Sequence, residues 1–81
     1  MSSVISDVRV PLFTQDAVTR LLQWCVPDGT VIARDDLVAE IETEKANVEV
    51  YAPASGTLRQ VVTVGDDVQI GQLLAHIETS S

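Results

Sequence analysis

Val38-Ala39-Glu40-Ile41-Glu42-Thr43-Glu44-Lys45-Ala46-Asn47-Val48-Glu49-Val50-Tyr51 decides how this chain folds. Alternation puts Ala39, Ile41 and Thr43 on one side and Glu40, Glu42 and Glu44 on the other, the pattern of a strand with one buried face. After Lys45 it resumes, with Ala46, Val48 and Val50 against Asn47, Glu49 and Tyr51. Folding between Glu44 and Lys45 sets Thr43 opposite Ala46, Ile41 opposite Val48 and Ala39 opposite Val50. Every inward residue then meets an inward partner, and a slip by one residue would turn the whole set to solvent. The segment therefore predicts a β-hairpin with Glu44-Lys45 at its tip. Neither tip residue favours the positive φ that two-residue hairpin loops usually require. Glu40 also falls opposite Glu49, a like-charge pair that costs stability. Both departures point to a hairpin that another molecule reads.

Lys45 is the only lysine in the chain; the other cations are Arg9, Arg20, Arg34 and Arg59. A guanidinium does not supply an ordinary free amine. The tip thus offers one amine for acylation, although composition alone favours a solvated loop lysine, and acylation needs a further reason.

Outward from the hairpin, a shift of 36 positions lays 26–43 on 62–79, with seven of 18 positions identical: Val, Gly, Leu, Ala, Ile, Glu and Thr. Arg20-Leu21 can be laid on Thr57-Leu58 if the second copy has one residue fewer. Strands are expected over 8–12, 21–26, 37–42, 47–51, 56–62 and 73–78, with turn signals at Asp28-Gly29, Pro53-Ala54-Ser55-Gly56, Gly65-Asp66-Asp67 and Gly71. Two copies of a strand unit predict an all-β domain with approximate two-fold symmetry, a flattened barrel or sandwich of two small antiparallel sheets. The shift maps Lys45 onto Ser81, so the tip and the C-terminus should lie at opposite ends.

Composition agrees. Val, Ile and Thr supply 25 of the 81 residues, and Phe13, Trp24 and Tyr51 are the only aromatics. The net charge of −7 disfavours nucleic acid and anionic membrane surfaces as partners. No apolar run reaches membrane-spanning length, and no export signal opens the chain. Cys25 is solitary, so a cytoplasmic or organelle-matrix location is expected, with Cys25 a small buried hydrophobe. His76 falls on an outward strand position as the repeat-mate of Glu40, a surface histidine rather than a general base. Asp35-Asp36 and Asp66-Asp67 read as solvated turns rather than ligands for a cation. Phosphate-loop and zinc spacings are absent from the sequence, and no catalytic residue or metal site is expected.

The run 36–46, with Ile41-Glu42-Thr43-Glu44-Lys45-Ala46 at its centre and Val48-Glu49-Val50 after it, resembles the lipoyl domain of 2-oxo acid dehydrogenase acyltransferase components. That family shows Ile-Glu-(Thr/Ser)-Asp-Lys-Ala followed by an apolar-Glu-Val strand. Trp24 and Gly29 upstream, and Gly56, Gly65-Asp66, Val68, Gly71 and Ile77 downstream, extend the resemblance over about residues 8 to 78. It implies that Lys45 receives lipoate through a side-chain amide, and that Glu44, Thr43, Ala46, Glu42 and Glu49 serve recognition by a ligase or partner. The lipoyl arm would accept an acyl group from a thiamine diphosphate-dependent 2-oxo acid decarboxylase. A dihydrolipoyl acyltransferase core would pass that group to coenzyme A, and dihydrolipoyl dehydrogenase would reoxidise the arm. Lipoate ligase or lipoyl transferase would attach it. The chain departs from the family pattern at Glu44, where Asp is usual, and at Asp35 and Thr19, where Gly is common. It is also one residue short between Gly56 and Gly65. Local distortion in turns is the expected result.

Biotin carrier domains share the architecture, but their tip resembles Ala-Met-Lys-Met, whereas Glu44 and Ala46 flank Lys45 here. The glycine-cleavage carrier is a longer chain. An unmodified structural hairpin domain, as in membrane-fusion adaptors, is the reading from another class. The expected organisation is a lead over 1–7, the domain over 8–78 and a tail or linker start over 79–81. An excised N-terminal domain is slightly favoured over a free-standing carrier. The particular 2-oxo acid is left open, with partner choice assigned to loops such as Phe13–Val18.

Overall fold

The computed structural model describes residues 3–11 and 19–80. They form eight strands: β1 (Ser3–Arg9), β2 (Thr19–Trp24), β3 (Val31–Ile32), β4 (Leu37–Thr43), β5 (Asn47–Tyr51), β6 (Gly56–Gln60), β7 (Asp67–Val68) and β8 (Leu73–Ser80). Two four-stranded sheets result, ordered β1-β8-β6-β3 and β5-β4-β2-β7, and every pairing is antiparallel. The expected all-β architecture of two small sheets is the observed one.

The repeat is the organising principle. Replacing β5 by β1, β4 by β8, β2 by β6 and β7 by β3 converts one sheet order into the other. Among the described residues, the 14 buried hydrophobic ones fall into seven repeat pairs: Val8 with Val50, Val10 with Ala52, Leu21 with Leu58, Ile32 with Val68, Val38 with Leu74, Ala39 with Ala75, and Ile41 with Ile77. One aliphatic core is thus assembled twice about a common axis, and both sheets bury their inner faces in it.

Bulges account for the breaks in alternation. The register of β4 against β5 shifts between Leu37 and Ala39, and that of β8 against β1 shifts at the repeat-related place, where Val8 pairs with Ala75 but Arg9 with Leu73. An extra residue on one strand turns two successive side chains inward. Val38-Ala39 and Leu74-Ala75 are accordingly all fully buried. The residue absent from the second copy is Leu22, the site of a third irregularity, between Leu21 and Gln23 of β2.

Several boundaries differ from expectation, among them β2 at Thr19–Trp24 against 21–26 and β6 at Gly56–Gln60 against 56–62, and β4 runs one residue further, to Thr43. β1 begins at Ser3 and β8 runs to Ser80, so pairing extends beyond 8–78 at both ends, into the expected lead and tail. The first strand ends at Arg9 rather than at residue 12: Val10 and Pro11 lie outside it, and Pro11 has no N–H to contribute to a ladder. β3 and β7, two residues each, were not anticipated, because a two-residue strand shows no alternation to read. Residue 12 and the loop 13–18, to which partner choice was assigned, lie outside the described residues, as does Ser81.

Candidate functional site: the β4–β5 hairpin

The hairpin has the anticipated register. Ala39 pairs with Val50, Glu40 with Glu49, Ile41 with Val48 and Glu42 with Asn47. The Thr43 N–H donates to the Ala46 carbonyl at 2.9 Å, which closes the ladder below a tip of Glu44 and Lys45. Ile41 and Val50 anchor it from the buried side, while Glu42, Glu44, Lys45, Ala46 and Glu49 are exposed.

Turn chemistry at the tip comes from a side chain. Asp35 is the one described non-glycine residue with positive φ, so Glu44 and Lys45 make the turn without it. Instead the Thr43 hydroxyl donates to the Ala46 carbonyl at 2.6 Å and accepts from the N–H groups of Ala46, at 3.1 Å, and Lys45, at 3.3 Å. Sequence reasoning placed Thr43 near the site but missed this closure. The available signal was a threonine immediately before a two-residue loop lacking Gly or Asn, since such hydroxyls commonly bond backbone groups of a turn.

The Glu40–Glu49 clash is offset by neighbours on the same face. The Gln23 side-chain amide donates to Glu40, and the Tyr51 hydroxyl donates to Glu49 at 2.6 Å. That hydrogen bond, followed by desolvation and the Glu49 charge, pushes the Tyr51 phenol up, so it remains a donor. Glu42 lies 4.0 Å from Arg20, an exposed pair of little energetic weight. Cys25 corrects an expectation: it is exposed rather than buried, because it follows the β2 irregularity, which has reset the in-out phase. Partial desolvation of its thiol, then the charges of Glu40 and Glu49, push its pKa up, which opposes thiolate formation.

The remaining polar residues serve the frame. His76 Nδ1 lies 3.0 Å from Asp7 across the β1–β8 pair. Asp36 accepts from the Ala33 N–H and Asp66 from the Thr63 N–H, each closing a turn. Among the described residues no group of three His, Cys, Asp or Glu side chains could hold a metal ion. No helix among them is long and apolar enough to cross a membrane. A shallow groove of about 280 Å³ lies between the edges of β1 and β5, lined by Asp7, Val8, Arg9, Pro11 and their repeat-mates Glu49, Val50, Tyr51 and Pro53. None of the tip residues lines it. The tip residues Glu44, Lys45 and Ala46 are exposed, so a group attached there would have its length free.

The tip also lies at the opposite end from the start of β1 and the end of β8, where Ser3 pairs with Ser80. At Gly56 an added Cβ would sit 2.5 Å from the Glu78 carbonyl, so β6 starts against the far end of β8. Gly56 pairs with Ile32, and the Arg34 N–H donates to Ser55, which places the base of β4 at that same end. Seven residues of β4, at about 3.3 Å each, then separate this end from the tip.

The family model described as "Biotin-requiring enzyme", which covers biotin and lipoyl attachment domains, matches residues 6–77. Over 79 residues the chain is 37% identical to the dihydrolipoyllysine-residue succinyltransferase component of the 2-oxoglutarate dehydrogenase complex of Cupriavidus necator, covering 95% of this chain and 19% of that protein. Identity to the dihydrolipoyllysine-residue acetyltransferase component of the pyruvate dehydrogenase complex of Pseudomonas aeruginosa is 28% over 75 residues, covering 91% of this chain and 14% of that protein. The chain thus spans less than a fifth of the length of these curated relatives. The solution structure of the lipoyl domain of the Azotobacter vinelandii 2-oxoglutarate dehydrogenase complex superposes with a TM-score of 0.71 at 34% identity, covering 91% of this chain and 95% of that one.

Proposed function

Because the chain belongs to the biotin- and lipoyl-attachment family, as one of its lipoyl domains, we propose that Lys45 is the attachment residue and lipoate the group it bears. The observation that carries this reading is the exposed Lys45 at the apex of a two-residue tip closed by the Thr43 hydroxyl. A long covalent arm fits such a site, since the chain needs only to hold its root and leave its length free. When bound, the lipoyl group supplies a disulfide able to take up an acyl group together with two electrons. The protein's own residues provide a fixed root, an acidic surround and clearance from the body of the domain. Tethering then replaces diffusional encounter by a high local concentration at each partner site.

Glu44, Ala46, Glu42 and Glu49, exposed on and beside the tip, are the residues proposed to meet a lipoate ligase or lipoyl transferase, with Thr43 between them. The proposed acyl donor is a thiamine diphosphate-dependent decarboxylase acting on 2-oxoglutarate, a choice supported by the Cupriavidus and Azotobacter similarities. Delivery would be to a dihydrolipoyl succinyltransferase core, with dihydrolipoyl dehydrogenase reoxidising the arm. A cytoplasmic or mitochondrial-matrix location is proposed on the solitary cysteine alone.

The test is the intact mass of the protein produced in a lipoate-fed host with an active ligase, beside Lys45→Arg. A lipoyl increment on the wild type and none on the variant is expected. A biotinyl increment would replace the cofactor and keep the carrier role. No increment on folded protein would favour an unmodified structural hairpin.

A further inference from the structure

The two peptide units that flank the Lys45 Cα both donate their N–H to one atom. The Lys45 N–H, on the preceding unit, and the Ala46 N–H, on the following one, converge on Thr43 Oγ1 at 3.3 and 3.1 Å. The hydroxyl proton goes on to the Ala46 carbonyl at 2.6 Å, and the Thr43 backbone is held by its own N–H bond to that same carbonyl at 2.9 Å. Fixing both flanking peptide planes fixes φ and ψ of Lys45, and therefore the direction in which its Cα–Cβ bond leaves the tip. Threonine suits the task because β-branching stiffens χ1. Below it, Thr43 pairs with Thr19 of β2, which ties the clamp to the sheet.

We infer that Thr43 is a positioning residue for acylation of Lys45, acting through the tip backbone rather than by contact with the attaching enzyme. The inference rests on the lipoyl-attachment reading above and deepens it. In the attachment step the free amine of Lys45 attacks the carbonyl carbon of an acyl adenylate held by the ligase. The N–C bond forms, the bond from that carbon to the phosphate oxygen breaks, AMP leaves with the electron pair, and the amine proton passes to water. Thr43 touches none of these atoms. It sets the line along which Nζ arrives, and small misplacements of a reacting group cost rate rather than affinity.

The test measures ligase-catalysed lipoylation with lipoate and ATP, followed by intact mass, for the wild type, Thr43→Val and Thr43→Ser. Valine keeps the shape and the β-branch but loses the hydroxyl, while serine keeps the hydroxyl. The valine variant should lose about tenfold in kcat with the KM for the domain within about twofold, and serine should recover most of the loss. Amide exchange of Lys45 and Ala46 should be slowed in the wild type and the serine variant and faster in the valine variant. An unchanged kcat for valine would overturn the inference. So would a loss confined to KM, which would mean direct contact with the ligase, or a serine variant as poor as valine. Should the valine variant fail to fold, unprotected exchange at Ala46 in the wild type would overturn it equally. An unmodified wild type is a separate result: it removes the attachment reading itself, and this inference with it.

Discussion

Asp35 has φ of 73°, and its repeat-mate Gly71 has φ of 81°. Both sit third in turns whose fourth residue donates back to the first: Asp36 to the Ala33 carbonyl, and Gln72 to the Gln69 carbonyl. That position favours glycine, and a side chain there meets the steric cost of the left-handed region. Asp35→Gly should therefore raise stability by about 0.5–1 kcal/mol, read as an increased urea midpoint with an unchanged slope. The sequence had already marked Asp35 as standing where glycine is usual, so this strain was legible. Two other residues were not. Cys25 was expected in the core from its residue type, which does not register a bulge that resets the in-out phase. The Thr43 hydroxyl was missed because alternation describes which way a side chain faces and not which backbone groups it can reach.

At the scale of elements, legibility followed length. The β4–β5 hairpin, its register and its tip could be read because alternation from Ala39 to Thr43 and from Asn47 to Tyr51 leaves one consistent pairing. β3 and β7 could not, since pairing of two residues is imposed by their neighbours rather than by their own pattern. The start of β6 shows how tightly elements meet. Gly56 has φ of 152°, and a Cβ there would lie 2.5 Å from the Glu78 carbonyl, 2.7 Å from Thr79 Cγ2 and 2.8 Å from Ile77 Cγ2. Relief would require β6 to move off β8, opening the first sheet. Gly56→Ala should accordingly cost about 3 kcal/mol, measured by chemical denaturation, a loss well above that of an ordinary surface substitution.

For the whole molecule, the 36-residue repeat was the most informative sequence feature, because it predicted two related antiparallel sheets, whose strand order the structure supplies. What it could not convey was charge. Glu40 and Glu49 on one sheet are replaced at the related positions of the other by His76 and Asp7, which bond at 3.0 Å. The His76 bond first, and then the bond from Arg9, hold the Asp7 carboxyl below its usual range. A carboxyl lowered in the folded state stabilises above its unfolded value of about 3.9 and loses that contribution as pH falls through the folded value. Between about pH 5 and pH 2, Asp7→Asn should therefore lose less stability than the wild type, seen as converging urea midpoints.

Ser3 pairs directly with Ser80, at the place related by the repeat to the end of the β4–β5 hairpin. A two-residue turn between them would close the chain into a ring, and the ring could then be cut at a surface loop. Such a circular permutant keeps every strand pairing and all seven core pairs. Given a threonine and a lysine at the new turn, it would present two attachment points at opposite poles of one domain, a bivalent carrier made by rearranging chain connectivity.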